Sequence, residues 1–336
     1  MSSTSLSVRN LTISVPTDRG RAMAVDGVSF EVEAGERVGL VGESGAGKSL
    51  TTLALPGLLP KGVRVEPGGS VRIGDTELLG ALPADLRRVR GRRLALVLQD
   101  SSNALTPART IGSQLMEVAR LHHGAPGDEA RRRALALLAD VGLPDPERVF
   151  AEVPHRLSGG MRQRACIALG LAGEPEFLVV DEPTTALDVT VQARILRLLV
   201  RLSDERRLGV LFVSHDLAVV SQTCHRVVVL YAGRVVEEGR VDQVLRDPRH
   251  PYTRALLAAR PRLSGPRVVP RPIGGDVPRP SDWPSGCRFH PRCPSAFDRC
   301  AVEAPPPSPT PGGVVRCWLS EAGDAQPPHE TDDGPS

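Results

Sequence analysis

The stretch from residue 36 to about residue 54 leaves this chain few choices. A compact apolar run at 36–41 leads into Gly42, Glu43, Ser44, Gly45, Ala46, Gly47, Lys48 and Ser49, and a helical pattern follows. The spacing G-x-x-x-x-G-K-S, after a strand and opening a helix, predicts a turn whose backbone N–H groups point inward on phosphate oxygens. The helix N-terminus adds partial positive charge there. Lys48 is placed to reach the β- and γ-phosphates, and Ser49 to ligate Mg²⁺.

The surrounding pattern is that of an α/β core. Residues 94–98, 177–180, 210–213 and 227–231 are short apolar runs rich in β-branched side chains, as expected of parallel strands buried on both faces. Between them, residues 158–172, 189–206 and 216–224 place apolar side chains at helical spacing. Residues 6–15 and 28–32 alternate apolar and polar positions like half-buried strands. The stretch at about 110–172 carries no strand signal and is expected to be a helical subdomain. The run at 177–180 ends on Asp181 and Glu182. A carboxylate at a strand end is well placed to hold Mg²⁺, and one beside it to orient or deprotonate an attacking water.

Between the phosphate turn and this acidic pair lies Leu157-Ser158-Gly159-Gly160-Met161-Arg162-Gln163-Arg164. With these three motifs in this order the sequence resembles the ATP-binding-cassette (ABC) family. The resemblance implies a P-loop NTPase cassette, with a RecA-like core, an antiparallel β subdomain and the helical subdomain. It also implies a head-to-tail dimer, in which Ser158, Gly159 and Gly160 cap the γ-phosphate held by the partner's loop. Three further family elements follow in register: Gln99 after the run at 94–98, Asp188 after Ala186-Leu187, and His215 after the run at 210–213. By resemblance Gln99 touches Mg²⁺ or the lytic water, Asp188 bridges the dimer and His215 contacts the γ-phosphate. Glu182 is the expected general base, with Ser49, Gln99 and Asp181 as the Mg²⁺ ligands. The family commonly offers an aromatic ring to the adenine, but here that position falls near Val15-Pro16, and no aromatic residue precedes Phe30.

After residue 260 the composition changes, and more than half of the chain's 31 prolines lie there. This segment is expected to be loop-rich, with a disordered tail at 321–336. Arg249-His250-Pro251-Tyr252, followed by Cys287, Cys293, Cys300 and Cys317 in a C-x5-C-x6-C-x16-C spacing, resembles the C-terminal extension of ATPase subunits of peptide and nickel importers. The expected organisation is a cassette at 1–245 and an extension at 246–320. Four thiolates suit an iron–sulfur cluster, and the family precedent favours [4Fe-4S]; Zn²⁺ and four unligated cysteines remain alternatives. His290 lies within this cluster but is expected to pack locally. The cysteine segment could also sense redox state and gate the ATPase.

Net charge is +3 and aromatics make up 3% of the chain, so neither a global basic field nor a stacking surface points to nucleic acid. Arg131, Arg132 and Arg133 are expected to form a solvated helix face. No apolar run approaches the ~20 residues of a membrane span. The resemblance therefore implies an ATPase on the cytoplasmic face of the cell membrane. Its implied partners are a second cassette, identical or different, two membrane permeases and an external substrate-binding protein. Nickel or another small solute is an alternative cargo. A non-transport cassette ATPase is the rival class, against which stands the lack of heptads or a second phosphate loop.

Overall fold

A computed structural model of the chain describes residues 4–98, 104–183, 188–259 and 273–320. It opens with β1 (Ser5–Thr17) and β2 (Gly20–Glu33), a long antiparallel pair, and then β3 (Arg37–Val41), which enters a second sheet. The turn at 42–47 and α1 (Lys48–Ala54) follow. Short strands β4 (Arg64–Val65), β5 (Ser70–Ile73) and β6 (Thr76–Glu77) return to the first sheet, and α2 (Pro83–Val89) leads back to β7 (Leu94–Val97). Among the described residues the α-helices that come next are α3 (Ile111–His123), α4 (Gly127–Asp140), α5 (Pro146–Ala151) and α6 (Gly159–Leu171). The core resumes with β8 (Phe177–Asp181), α7 (Val189–Arg206), β9 (Gly209–Ser214), α8 (Leu217–Thr223) and β10 (Arg226–Tyr231). The chain then adds β11 (Arg234–Arg240), α9 (Val241–Arg246), α10 (Pro251–Ala258), α11 (Asp298–Val302), β12 (Ser308–Thr310) and β13 (Gly313–Val315).

The first sheet has the order β2-β1-β5-β6, with β4 also on β1. The second runs β12-β13-β11-β10-β3-β9-β8-β7, and its five strands from β10 to β7 are parallel. Alternation along these strands divides the core. Val38, Leu40, Phe177, Val179, Leu211 and Val213 face the first sheet, while Leu178, Val180, Val210 and Phe212 pack against the helices. Both faces are covered, so the strands read as unbroken apolar runs. Each fully buried side chain of this kind contributes roughly 1.5–3 kcal/mol.

The extension draws its order from the cassette. Tyr252 and Phe289 are fully buried against Val41, Val227, Val229 and Tyr231, and β13 pairs antiparallel with β11. Residues 308–315 thereby lengthen the central sheet, which nothing in the low-apolar composition predicts. The final segment 321–336 lies outside the described residues. Among the described residues no helix is long and apolar enough to cross a membrane. Arg131 pairs with Glu147, and Arg133 with Glu129 and Glu174, so that helix face is solvated and ion-paired.

Candidate active site

The phosphate turn sits at the C-terminal edge of the parallel strands, where open α/β sheets place their ligands. A Cβ on Gly42 would lie 2.2 Å from Leu230 O, so the close approach of β10 requires glycine at this position. Ser44 and Gly45 form the exposed tip, Ala46 is buried, and Gly47 precedes the first residue of α1. Lys48 is buried, and its Nζ donates to Gly42 O at 2.8 Å and to Glu43 O at 3.1 Å. Burial lowers its pKa, while Glu182, Asp181 and Glu43 act in the opposite direction.

Adjacent strands supply the acids and the histidine. Asp181 ends β8; burial, with Glu182 beside it, raises its pKa, and Lys48 and a hydrogen bond from Ser49 oppose that rise. Glu182 takes a left-handed backbone (φ 44°) and donates its N–H to Val213 O at 2.9 Å, which fixes it to β9. His215 leaves the end of β9, and its Nδ1 lies 2.9 Å from Glu182 Oε1. The carboxylate is 15% exposed and the imidazole 61%, so the pair opens onto solvent on the histidine side. With Nδ1–H donating to the carboxylate, Nε2 is left free for a ligand. Lys48, Ser49, Asp181, Glu182 and His215 thus meet at the ends of β3, β8 and β9. Gln99, Ala186 and Leu187 lie outside the described residues.

The Ser158-Gly159-Gly160 motif starts a helix elsewhere. Ser158 Oγ accepts from Met161 N–H at 3.3 Å, capping α6, and Asp188 caps α7 by accepting from Val191 N–H at 2.9 Å. A Cβ on Gly160 would lie 2.7 Å from Val191 Cγ1, so the two helix starts pack side by side. Ser158 and Asp188 are both exposed. Among the described residues no hydrogen bond or ion pair joins Ser158, Gly159, Gly160 or Asp188 to Lys48, Ser49, Asp181 or His215.

Two residues at the site escape sequence reasoning. Tyr252 Oη accepts from Glu43 N–H at 2.8 Å, and Arg292 grips the Glu43 carboxylate with Nη1–Oε2 at 2.9 Å and Nη2–Oε1 at 3.1 Å. Both motifs that hold them, His250-Pro251-Tyr252 and Pro291-Arg292-Cys293, are visible in the sequence; their destination is not.

The four extension cysteines fall within electrostatic reach of one another. Burial raises the pKa of Cys287, Cys293 and Cys317, the last to about 11; Cys317 also feels the other three thiols. Cys287 N–H donates to Cys300 O at 2.8 Å, and His290 Nδ1 bonds the Cys287 carbonyl at 2.9 Å, which places that histidine in local packing. Among the described residues no group of three or more His, Cys, Asp or Glu side chains is gathered closely enough to hold a metal ion. The four thiols are thus near one another along the extension, but among the described residues they form no metal site.

Val15 pairs with Ala22 near the end of the first hairpin and is half-buried. An aliphatic side chain gives less ring contact than an aromatic one. Comparable affinities for ATP and GTP are the expected result of titrating both nucleotides, and strong adenine selectivity would refute it.

Known proteins resemble this chain along most of its length. A family model described as ABC transporter matches residues 25–185, and one described as oligopeptide/dipeptide transporter, C-terminal region, matches residues 236–300. A Brucella abortus protein named as a peptide import ATP-binding protein is 47% identical over 312 residues, covering 93% of this chain and 94% of its own. The oligopeptide transport ATP-binding protein AppD of Bacillus subtilis is 43% identical over 320 residues, covering 95% and 98%. Among solved structures, the dimeric bacterial ABC transporter cassette MJ0796 is 28% identical with a TM-score of 0.63, over 70% of this chain and 98% of that one. Clostridium perfringens cbiO1, part of the transporter complex cbiONQ, is 27% identical with a TM-score of 0.62, over 73% and 92%.

Proposed function

The chain belongs to the ABC transporter ATPase family, and from that premise we propose that it hydrolyses ATP to power import of oligopeptides or dipeptides across the cytoplasmic membrane. The observation that carries the cargo is the oligopeptide/dipeptide extension, residues 236–300, joined to a cassette with its acids and phosphate turn in place. Lys48 and the turn's N–H groups take the phosphate charge. Ser49 and Asp181, with Gln99, are the residues to hold Mg²⁺, which when bound neutralises charge on the phosphates. Glu182 accepts the proton of the attacking water, and His215 both orients Glu182 and presents Nε2 to the γ-phosphate.

A complete site needs a second cassette, of this chain or another. The exposed helix starts at Ser158 and Asp188 are free to meet a partner's nucleotide, and the dimeric form of MJ0796 supports such an arrangement. A largely apolar groove of about 510 Å³, lined by Pro56, Leu58, Leu96, Leu98 and Leu121, lies along β7. Leu58, Leu98 and Leu121 are exposed there, as an interface would require, and a helix of a permease subunit is its proposed occupant. The cassette then works from the cytoplasmic face, with cargo delivered by an external binding protein.

Uptake of labelled peptides by cells carrying Glu182→Gln in the chromosomal copy tests the proposal. Lost peptide uptake with nickel uptake retained is expected. Lost nickel uptake alone would transfer the cargo to the metal, and unchanged uptake of every solute would move the protein to the non-transport class.

We infer further that Cys287, Cys293, Cys300 and Cys317 hold a [4Fe-4S] cluster, with Zn²⁺ as the alternative. Burial raises the pKa of three of these thiols and so opposes their ionisation, which a bound metal would favour. Anaerobically purified protein should contain about four iron and four acid-labile sulfide per chain, lost on Cys293→Ser. Zinc without iron, or colourless metal-free protein, would overturn the cluster. A redox gate would further require turnover of the assembled transporter to change on oxidation.

A further inference from the structure

Glu43 occupies a variable position of the phosphate turn, yet every polar group it owns is engaged. Its N–H is held by Tyr252 Oη at 2.8 Å, its carboxylate by the two-pronged grip of Arg292, and its carbonyl oxygen accepts from Lys48 Nζ at 3.1 Å. Two of these three anchors come from the extension, across 209 and 249 residues of sequence, while within the turn Ala46 N–H also donates to the Glu43 carbonyl at 3.2 Å. The third is the ammonium that meets the nucleotide.

Neither extension residue is loosely placed. Tyr252 is the second residue of α10; Pro251 opens that helix, and His250 Nδ1 accepts Tyr252 N–H at 3.0 Å. His250 is fully buried, which lowers its pKa to about 3 and keeps it a neutral acceptor. Its own N–H and that of Arg249 donate to the buried Glu237 carboxylate at 3.1 and 2.7 Å. Both of the chain's tyrosines stand in this cluster: the Tyr231 and Tyr252 rings are 4.6 Å apart, with Phe289 at 5.2 and 5.4 Å. Arg292 is 6% exposed and also donates to Gly274 O at 2.7 Å and Tyr231 Oη at 3.3 Å. A side chain held at this many points transmits a displacement rather than absorbing it. Arg292 directly precedes Cys293, so the Arg292–Glu43 pair ties the cysteine segment to the phosphate turn.

We propose that the C-terminal extension is a positioning element of the ATP site: Tyr252 and Arg292 fix Glu43, and through the Glu43 carbonyl they set where Lys48 rests. The extension then does more than accompany the cassette, because nucleotide affinity depends on it. The inference rests on reading residues 42–49 as the ATP site.

Two variants of the full-length chain test it. Tyr252→Phe deletes one buried oxygen and keeps the ring packing; Arg292→Lys keeps the charge and loses the fork. Each should weaken MgATP binding and raise KM for ATP by about 3- to 10-fold, with kcat altered less than about twofold. Glu43→Gln should reproduce the Arg292→Lys effect, and the double variant should add little to either single one. Thermal melting of the nucleotide-free protein is read in parallel. A lowered melting temperature with unchanged MgATP affinity and KM would make the contact merely structural and overturn the inference, as would fully additive effects of Glu43→Gln and Arg292→Lys. An unaltered chain that fails to bind MgATP would overturn both this inference and the ATP-site reading. Variants binding MgATP as tightly as the unaltered chain would overturn this inference alone.

Discussion

Glu182→Gln should lower ATP turnover by about 10²- to 10⁴-fold and leave MgATP binding intact. The substitution keeps the side chain's shape, and a glutamine carbonyl can still accept from His215 Nδ1–H, 2.9 Å from the present carboxylate oxygen. What disappears is the capacity to take a proton from water, together with one negative charge. Binding survives for an electrostatic reason as well. Glu182 is one cause of the raised pKa of Asp181, so its neutralisation lets Asp181 ionise more readily and keeps it available to Mg²⁺. Lys48 loses the strongest of the three carboxylates that favour its charged form, but Asp181 and Glu43 remain. Single-turnover hydrolysis set beside equilibrium binding decides the matter: unchanged turnover would remove Glu182 from the role of base.

Much of this site is legible in the sequence because its parts are local. The phosphate turn, Asp181-Glu182 and His215 each follow an apolar run of four to six residues that is a strand in the structure. Neighbouring parallel strands bring their C-terminal ends to one edge without further instruction. The helix at 189–206 is found with the same bounds, since Asp188 caps its start and Arg207 in the left-handed region (φ 52°) closes it. The helices expected at 158–172 and 216–224 are shorter by their capping residues only.

The remainder is encoded across distances that spacing does not reveal. Strands β4 and β6 are two residues long, too short for any alternation. Strands β12 and β13 have three residues each, and Pro309 in the outermost one reads as loop, although an edge strand tolerates proline. The extension's composition says that it cannot bury much apolar surface alone. What composition does not say is that Tyr252 and Phe289 complete a core whose other half is Val41, Val227 and Tyr231. The Arg292–Glu43 pair belongs to the same class, joining an arginine in a proline-rich segment to a variable position of the phosphate turn.

Lys48→Met should fail at the step that Glu182→Gln leaves untouched. In the structure the Lys48 ammonium is buried, donates to the Gly42 and Glu43 carbonyls, and is kept charged against burial by Glu182, Asp181 and Glu43. A methionine fills similar volume and brings no charge, so Asp181 and Glu182 would face an incoming polyanion without the ammonium beside them, Glu43 alone being paired with Arg292. Hydrogen bonds to charged groups contribute about 1.5–3 kcal/mol each, and the loss of two, to the β- and γ-phosphates, should weaken MgATP binding by about 10²- to 10⁴-fold. Thermal melting separates the two variants in one experiment. A ligand at a hundred times its Kd stabilises the folded state by about 2.7 kcal/mol. At such a concentration for the unaltered chain, MgATP should raise the melting temperature of the Glu182→Gln protein and leave that of Lys48→Met almost unmoved. Equal stabilisation of both would mean that the backbone turn alone holds the phosphates, and that Lys48 serves the chemistry rather than the binding.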